Sequence, residues 1–169
     1  TDHSAAMALG PIFAGHDHEN VEVFCYWQRR GPAGGGVTAR FQGWADHWRT
    51  VDDLSDDELA AQIRDDRIDI LVDLSGHTGG GRLGLFTRRP APIQVAAWGF
   101  AHGTGCPEID HFLADPVAVP EDERVHYAER VVDLPCIVTF EPPGYDLSEC
   151  SEPPVVKNGY VTFGCFSRY

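Results

Sequence analysis

No stretch of this chain is apolar for anything near the ~20 residues that a membrane-spanning helix needs. The longest candidate, Ile68 to Leu74, is interrupted by Asp69 and Asp73. Basic residues are also few: 13 Lys and Arg stand against 26 Asp and Glu, for a formal charge of -13. That balance lacks the basic footprint of a duplex nucleic-acid binder and argues against docking on anionic lipid. There is no C-x-x-C pair among the five cysteines, so neither a zinc clip nor a redox motif is supported, and reduced cytoplasmic thiols are the simplest reading. A G-x-S-x-G elbow is lacking too, which leaves a Ser-His-Asp triad unsupported. The start, Thr-Asp-His, shows no basic region ahead of an apolar one and no initiator Met. It reads as a chain without a secretory signal and as a fragment of something longer.

What is present suits a globular domain. The 169 residues are 43% hydrophobic and 23% charged, enough to bury a core without disulfide or metal staples. His3 to Ala14 carries apolar residues at near-helical spacing and reads as a helix whose preceding strand is missing. Val21 to Trp27 is a β-rich run, and Gly31 to Gly36 a flexible loop. Val37 to Trp44 reads as a short helix, and His47 to Val51 as a short strand. Ser55 to Arg67 is the clearest helix, because Ser55 and Glu58 form a capping box ahead of a Leu59–Ile63 apolar stripe. Ile68 to Leu74, Ile93 to Trp98, His111 to Ala114, Val131 to Leu134 and Tyr160 to Phe166 read as strands, and Pro142 to Asn158 as a loop. Strands alternating with helices imply βαβ units and an α/β domain with a parallel sheet.

Chemistry concentrates behind two of these strands. Asp73 to Arg82 (DLSGHTGGGR) follows one, and ligands of open α/β sheets bind beyond the carboxyl ends of strands. Its Gly79 to Gly84 run matches G-x-G-x-x-G in form only, since no acidic residue ends a strand at the right distance. A tight glycine turn with no ligand explains it equally well. Trp98 to Gly105 (WGFAHGTG) follows the next strand and combines aromatic, His and Thr groups with flexible backbone, which suits a sugar or nucleotide or is simply a core Trp followed by an ordinary turn. Arg88 and Arg89 could grip a phosphate or pair with surface acids. His16 and His18 read as a solvated turn rather than a metal site, there being no third ligand in the motif.

Taken together, Ile68 to Phe100 closely resembles the catalytic region of the O-GlcNAc transferase / SPINDLY family. Family patterns D-L-N-G-H-T-x-G-x-R, L-R-P-A-P-I-Q and W-L-G-Y-P-G-T-T-G are matched here at Asp73, Leu74, Gly76, His77, Thr78, Gly80, Arg82, Arg89 through Gln94, Gly99, Thr104 and Gly105. Glu22 to Tyr26 and Tyr160 to Phe166 resemble two further family segments. The resemblance implies an α/β fold, a Rossmann-like parallel-sheet lobe forming half of a two-lobed GT-B glycosyltransferase and truncated at both ends. Residues 1–159 would be the N-terminal catalytic lobe, with its first strand missing. Residues 160–169 would open a C-terminal lobe that binds the nucleotide sugar, and tetratricopeptide repeats would precede both.

The activity it implies is transfer of GlcNAc from UDP-GlcNAc to Ser or Thr hydroxyls of acceptor proteins, with no metal and no cofactor beyond the donor. Nucleic acid and membrane are not expected partners. Transfer of fucose from GDP-fucose, as in the SPINDLY branch, and a non-catalytic α/β binding module are the alternatives. His3 takes the place of the histidine in the family's S-D-F-x-x-H motif and is the expected catalytic residue. His77, Thr78, Arg82, Trp98, Gly99, His102 and Thr104 are the expected substrate-binding set. Three departures stand out: Ser75 replaces the family's Asn, Trp98 shifts the family's Trp by one place and is expected to reshape the sugar pocket, and Ala101-His102-Gly103-Thr104 replaces the family's P-G-T-T.

Overall fold

The computed structural model describes residues 4–28, 35–137, 139–142 and 145–165. His3, the expected catalytic residue, lies outside them. The described elements follow in the order α1 (Ser4–Ala14), β1 (Phe24–Trp27), α2 (Gly36–Trp44), β2 (His47–Thr50), α3 (Asp56–Asp65), β3 (Ile70–Asp73), α4 (Leu83–Phe86), β4 (Ile93–Ala96), β5 (His111–Ala114), a 3-10 turn at Glu121–His126, β6 (Arg130–Asp133) and α5 (Pro154–Asn158). Every strand pairing is parallel; helices cross over between β1 and β2 and between β3 and β4, while a loop joins β4 to β5 and a stretch with a 3-10 turn joins β5 to β6. β1 and β2 form one sheet, and β3-β4-β5-β6 a second in sequential order.

The helix that the sequence signals most strongly is also the best built. Ser55 accepts the Glu58 N–H while the Glu58 carboxylate accepts the Ser55 N–H, so two otherwise orphaned donors are satisfied reciprocally. Asp56, Asp57 and Glu58 in the first turn complement the helix dipole, and Arg64 sits in the last. The stripe of Leu59, Ala60 and Ile63 is buried against Leu71, Leu85, Phe86 and Ala96, which places α3 and α4 on one face of the β3–β4 pair. On that same face Gln94 is fully buried, and its amide donates to the Phe86 and Glu108 carbonyls. On the opposite face Ile70, Val72 and Ile93 remain exposed, although strands of parallel sheets are usually covered on both sides.

The two sheets are tied by Asp66, just past α3. It accepts the Tyr26 hydroxyl from β1 at 2.8 Å and the Arg49 guanidinium from β2 at 2.7 and 3.2 Å. Near the end of the chain the structure departs from expectation. Residues 160–165 form no strand and are exposed, and no strand among the described residues pairs with them. The segment expected to be a loop contains the short α5, begun by Pro154 at its first turn and stopped by Gly159 at φ +72°.

Candidate functional site

The site grows from the end of β3. Asp73 is buried, and its carboxylate turns back to accept the Gly76 N–H at 2.7 Å and the Ser75 N–H at 3.3 Å. Burial pushes this carboxyl above its ordinary range, and the two amides offset only part of that. The Asx turn so formed continues through Thr78, whose N–H and hydroxyl both donate to the Ser75 carbonyl. Gly76 is needed at φ +50°, where a Cβ would also stand 2.4 Å from that of Phe100. The glycines therefore serve the self-packing of the loop as much as any ligand.

The loop after β4 lies directly on the first. A Cβ on Gly99 would meet the Leu74 carbonyl oxygen at 1.6 Å, so only glycine lets the two backbones touch there. The His77 ring nitrogen Nε2 lies 2.7 Å from the Thr104 carbonyl. Its ring meets Phe100 edge-on, and Phe100 meets His102 in the same way, at centroid separations of 5.4 and 5.9 Å. Because this loop returns from the carboxyl end of β4 toward the start of the parallel β6, Thr104 reaches Glu129, the residue just before β6. Thr104 donates both its N–H and its hydroxyl to the Glu129 carboxylate, and the same hydroxyl accepts the Cys106 N–H.

The structure thus brings together His77, Thr78, Gly99, His102 and Thr104. Of these, His77, Thr78 and His102 are exposed at the surface, whereas Thr104 is buried. Two expected binding residues are committed elsewhere. The Arg82 guanidinium donates to Asp56 at 2.8 Å and to the Leu54 carbonyl at 2.7 Å, clamping the glycine loop to the start of α3. Trp98, held at φ +54°, donates its indole N–H to the Ile137 carbonyl at 2.8 Å. The Ile137 N–H in turn donates to Asp115, so the ends of β4, β5 and β6 are bound into one corner. Arg88 pairs with Asp57 and Arg89 with Asp110, which resolves their earlier ambiguity in favour of acids. His16 and His18 bond to the Ile12 carbonyl and Asp46.

Sequence reasoning passed over Phe100 and Glu129. Phe100 could have been found, being an aromatic inside a quoted motif. A single acid before a strand, such as Glu129, carries no local signal. Chemically, the assembled face offers imidazole, hydroxyl and backbone groups at the mouth of two touching loops. That set suits hydrogen bonding to a hydroxyl-rich ligand.

Comparison with known proteins agrees in direction. A SPINDLY protein of Eustoma exaltatum, named "Probable UDP-N-acetylglucosamine--peptide N-acetylglucosaminyltransferase SPINDLY", is 31% identical over 99% of this chain and 18% of its own length. The SEC protein of Arabidopsis thaliana, with the same enzyme name, is 36% identical over 79% of this chain and 14% of its own. The chain therefore spans under a fifth of the length of the curated relatives it matches. Among solved structures, a mutant of the Thermobaculum terrenum O-GlcNAc transferase superposes with a TM-score of 0.79 at 36% identity, covering 85% of this chain and 28% of that one. The superposition bears out the Rossmann-like α/β lobe expected of a GT-B glycosyltransferase. The model of glycosyl transferase family 41 matches residues 1–140, and with parallel sheets, paired loops and relatives all concordant, the chain belongs to that family.

Proposed function

We infer that this chain is the N-terminal catalytic lobe of a protein O-glycosyltransferase, one that moves GlcNAc from UDP-GlcNAc to Ser or Thr hydroxyls of acceptor proteins. The observation that carries the reading is the contact of the His77 and Gly99 loops at the ends of adjacent parallel strands, made by the residues that resemble the family's motifs. In the reaction the acceptor oxygen bonds to the anomeric carbon, the bond from that carbon to the diphosphate oxygen breaks, and its electron pair leaves with UDP. The acceptor proton passes to a base, for which His3 is the candidate implied by the resemblance.

Charge supports a division of labour between two lobes. The leaving diphosphate needs cations, yet Arg82, Arg88 and Arg89 are paired with Asp56, Asp57 and Asp110. Neutralisation accordingly falls to a second lobe of the same polypeptide, and residues 160–169 lead toward it. This lobe presents the acceptor side, needs no metal or cofactor, and works in the cytoplasm on protein partners, with tetratricopeptide repeats as a further part of the polypeptide.

The test uses the complete polypeptide with UDP-GlcNAc and GDP-fucose in parallel, a mixture of cytoplasmic proteins, and mass spectrometry of Ser and Thr adducts. A hexosamine adduct that disappears in His3→Ala is the expected result. A deoxyhexose adduct assigns the donor to GDP-fucose instead. No adduct with either donor overturns the enzymatic reading and leaves an α/β binding module.

A further inference from the structure

Glu129 lies outside every motif that carries the family resemblance, yet it is among the most buried charged groups of the described residues, at 4% exposure. Among those residues it forms no ion pair. One of its oxygens accepts both Thr104 donors, and the other, Oε2, is buried without a hydrogen-bond partner. Oε2 lies over Gly103, where a Cβ would come within 3.0 Å of it and 2.8 Å of the Tyr127 ring. Desolvating a carboxyl in this way is costly, and its hydrogen bonds to Thr104 are what offset that cost. Its two bonds end on one residue, and that residue's carbonyl is the hydrogen-bond partner of the His77 ring.

We propose that Glu129 is the positioning residue of the site: acting through Thr104, it fixes the tautomer of His77 and so decides which ring nitrogen faces substrate. A carbonyl oxygen only accepts, so the bond at 2.7 Å requires the proton on Nε2. In the neutral ring that leaves Nδ1 with its lone pair, and among the described residues none hydrogen-bonds to it, the Asp73 carboxyl acting on the ring through charge alone. His77 is exposed, so Nδ1 is available to accept a hydrogen bond from a substrate hydroxyl. The anchor is rigid because Arg130, next to Glu129, pairs with His111 in the sheet, whereas the 97–105 loop alone holds no regular structure. An amide or hydroxyl at position 129 could hold Thr104 through one acceptor, but an alanine could not. The role in substrate binding rests on the glycosyltransferase reading above; the tautomer does not.

Two measurements separate these. Long-range proton–nitrogen NMR of the chain, with the His77 signals assigned by their loss in His77→Gln, reads the tautomer directly. The expected spectrum has a protonated Nε2 and an unprotonated Nδ1 in the unmodified chain and in Glu129→Gln, and a mixed tautomer in Glu129→Ala. A protonated Nδ1 in the unmodified chain overturns the proposal, with no variant needed. So does an unchanged His77 spectrum in a folded Glu129→Ala. If Glu129→Ala does not fold, Thr104→Pro, which removes the N–H and hydroxyl but keeps the carbonyl, gives the mixed tautomer in its place, and an unchanged spectrum there has the same overturning weight. In the transfer assay of the complete polypeptide, Glu129→Ala lowers kcat/KM about tenfold or more and Glu129→Gln restores most of it. Equal loss in both variants, at equal folded fraction, overturns positioning through Thr104. Absence of transfer by the unmodified enzyme removes the glycosyltransferase reading and leaves the tautomer result standing.

Discussion

Single residues at the candidate site are constrained by contact rather than by charge. Gly99 is the sharpest case, because a methyl group there would stand inside the Leu74 carbonyl oxygen at 1.6 Å. Gly99→Ala is expected to separate the two loops and to destabilise the chain by about 1–3 kcal/mol, read from the midpoint of urea unfolding. Trp98 acts as an anchor through its indole N–H to the Ile137 carbonyl. Trp98→Phe keeps the aromatic bulk but removes that donor, with an expected cost of about 1 kcal/mol in the same measurement. Gln94 has no exposed surface, and its amide satisfies two carbonyls. Gln94→Leu keeps the volume but strands both carbonyls, and about 1–3 kcal/mol is the expected loss. None of these three contacts was legible in the sequence, where a Gly and a Gln in a motif read as ligand contacts or simple family markers and the Trp as either a pocket residue or a core one. The partner atom in each case lies on a different loop or strand.

Elements were far more legible, and for a local reason. The capping box of α3 involves residues three apart, so Ser55 and Glu58 announce the helix start without tertiary information. Ser55→Ala is expected to lower stability by about 1 kcal/mol, measured by thermal or urea unfolding, and Ser55→Asp to preserve it. β3 and β4 were visible as apolar runs, although Ile70, Val72 and Ile93 on one face stay exposed. The short α4 and the 3-10 turn were not, since four to six residues carry too little periodicity. Tyr160 to Phe166 shows the opposite failure. Its β-branched and aromatic residues have strand propensity, but a strand needs a neighbour, and no strand among the described residues pairs with 160–165.

At the scale of the whole molecule Asp66 is one of the links between the β1–β2 sheet and the rest of the core, beside the apolar packing of Val51 and Tyr26. The Arg49 guanidinium beside Asp66 holds its carboxyl below the ordinary aspartate range, outweighing burial, and the Tyr26 hydroxyl adds to the effect. A depressed folded-state pKa contributes stability that is fully present above the unfolded value, about 3.9, and is lost as pH falls through the folded one. Asp73 runs the other way: its raised pKa makes its ionised form unfavourable at neutral pH, and acid relieves that. Urea midpoints are therefore expected to stay level from pH 7 to about 5 and to fall below about 4. In Asp66→Asn the neutral-pH midpoint drops, and the acid decline becomes shallower. An acid decline as steep in Asp66→Asn as in the unmodified chain would remove Asp66 from this role.

Periodicity, capping and the motif strings by themselves determined the α/β class, most of the elements and the family to which the chain resembles. Those properties depend on neighbours in sequence, or on strings long enough to be specific. Where the hydrogen bonds of each motif side chain go was decided only by the tertiary structure. Arg82 and Trp98 sit in the most telling motifs, yet one is spent on Asp56 and the Leu54 carbonyl and the other on the Ile137 carbonyl. Glu129 sits in none, yet it holds Thr104 and, through it, His77. A hydrogen bond is settled by distance and direction between groups that the fold brings together, and these pairs are 25 to 39 residues apart in the chain.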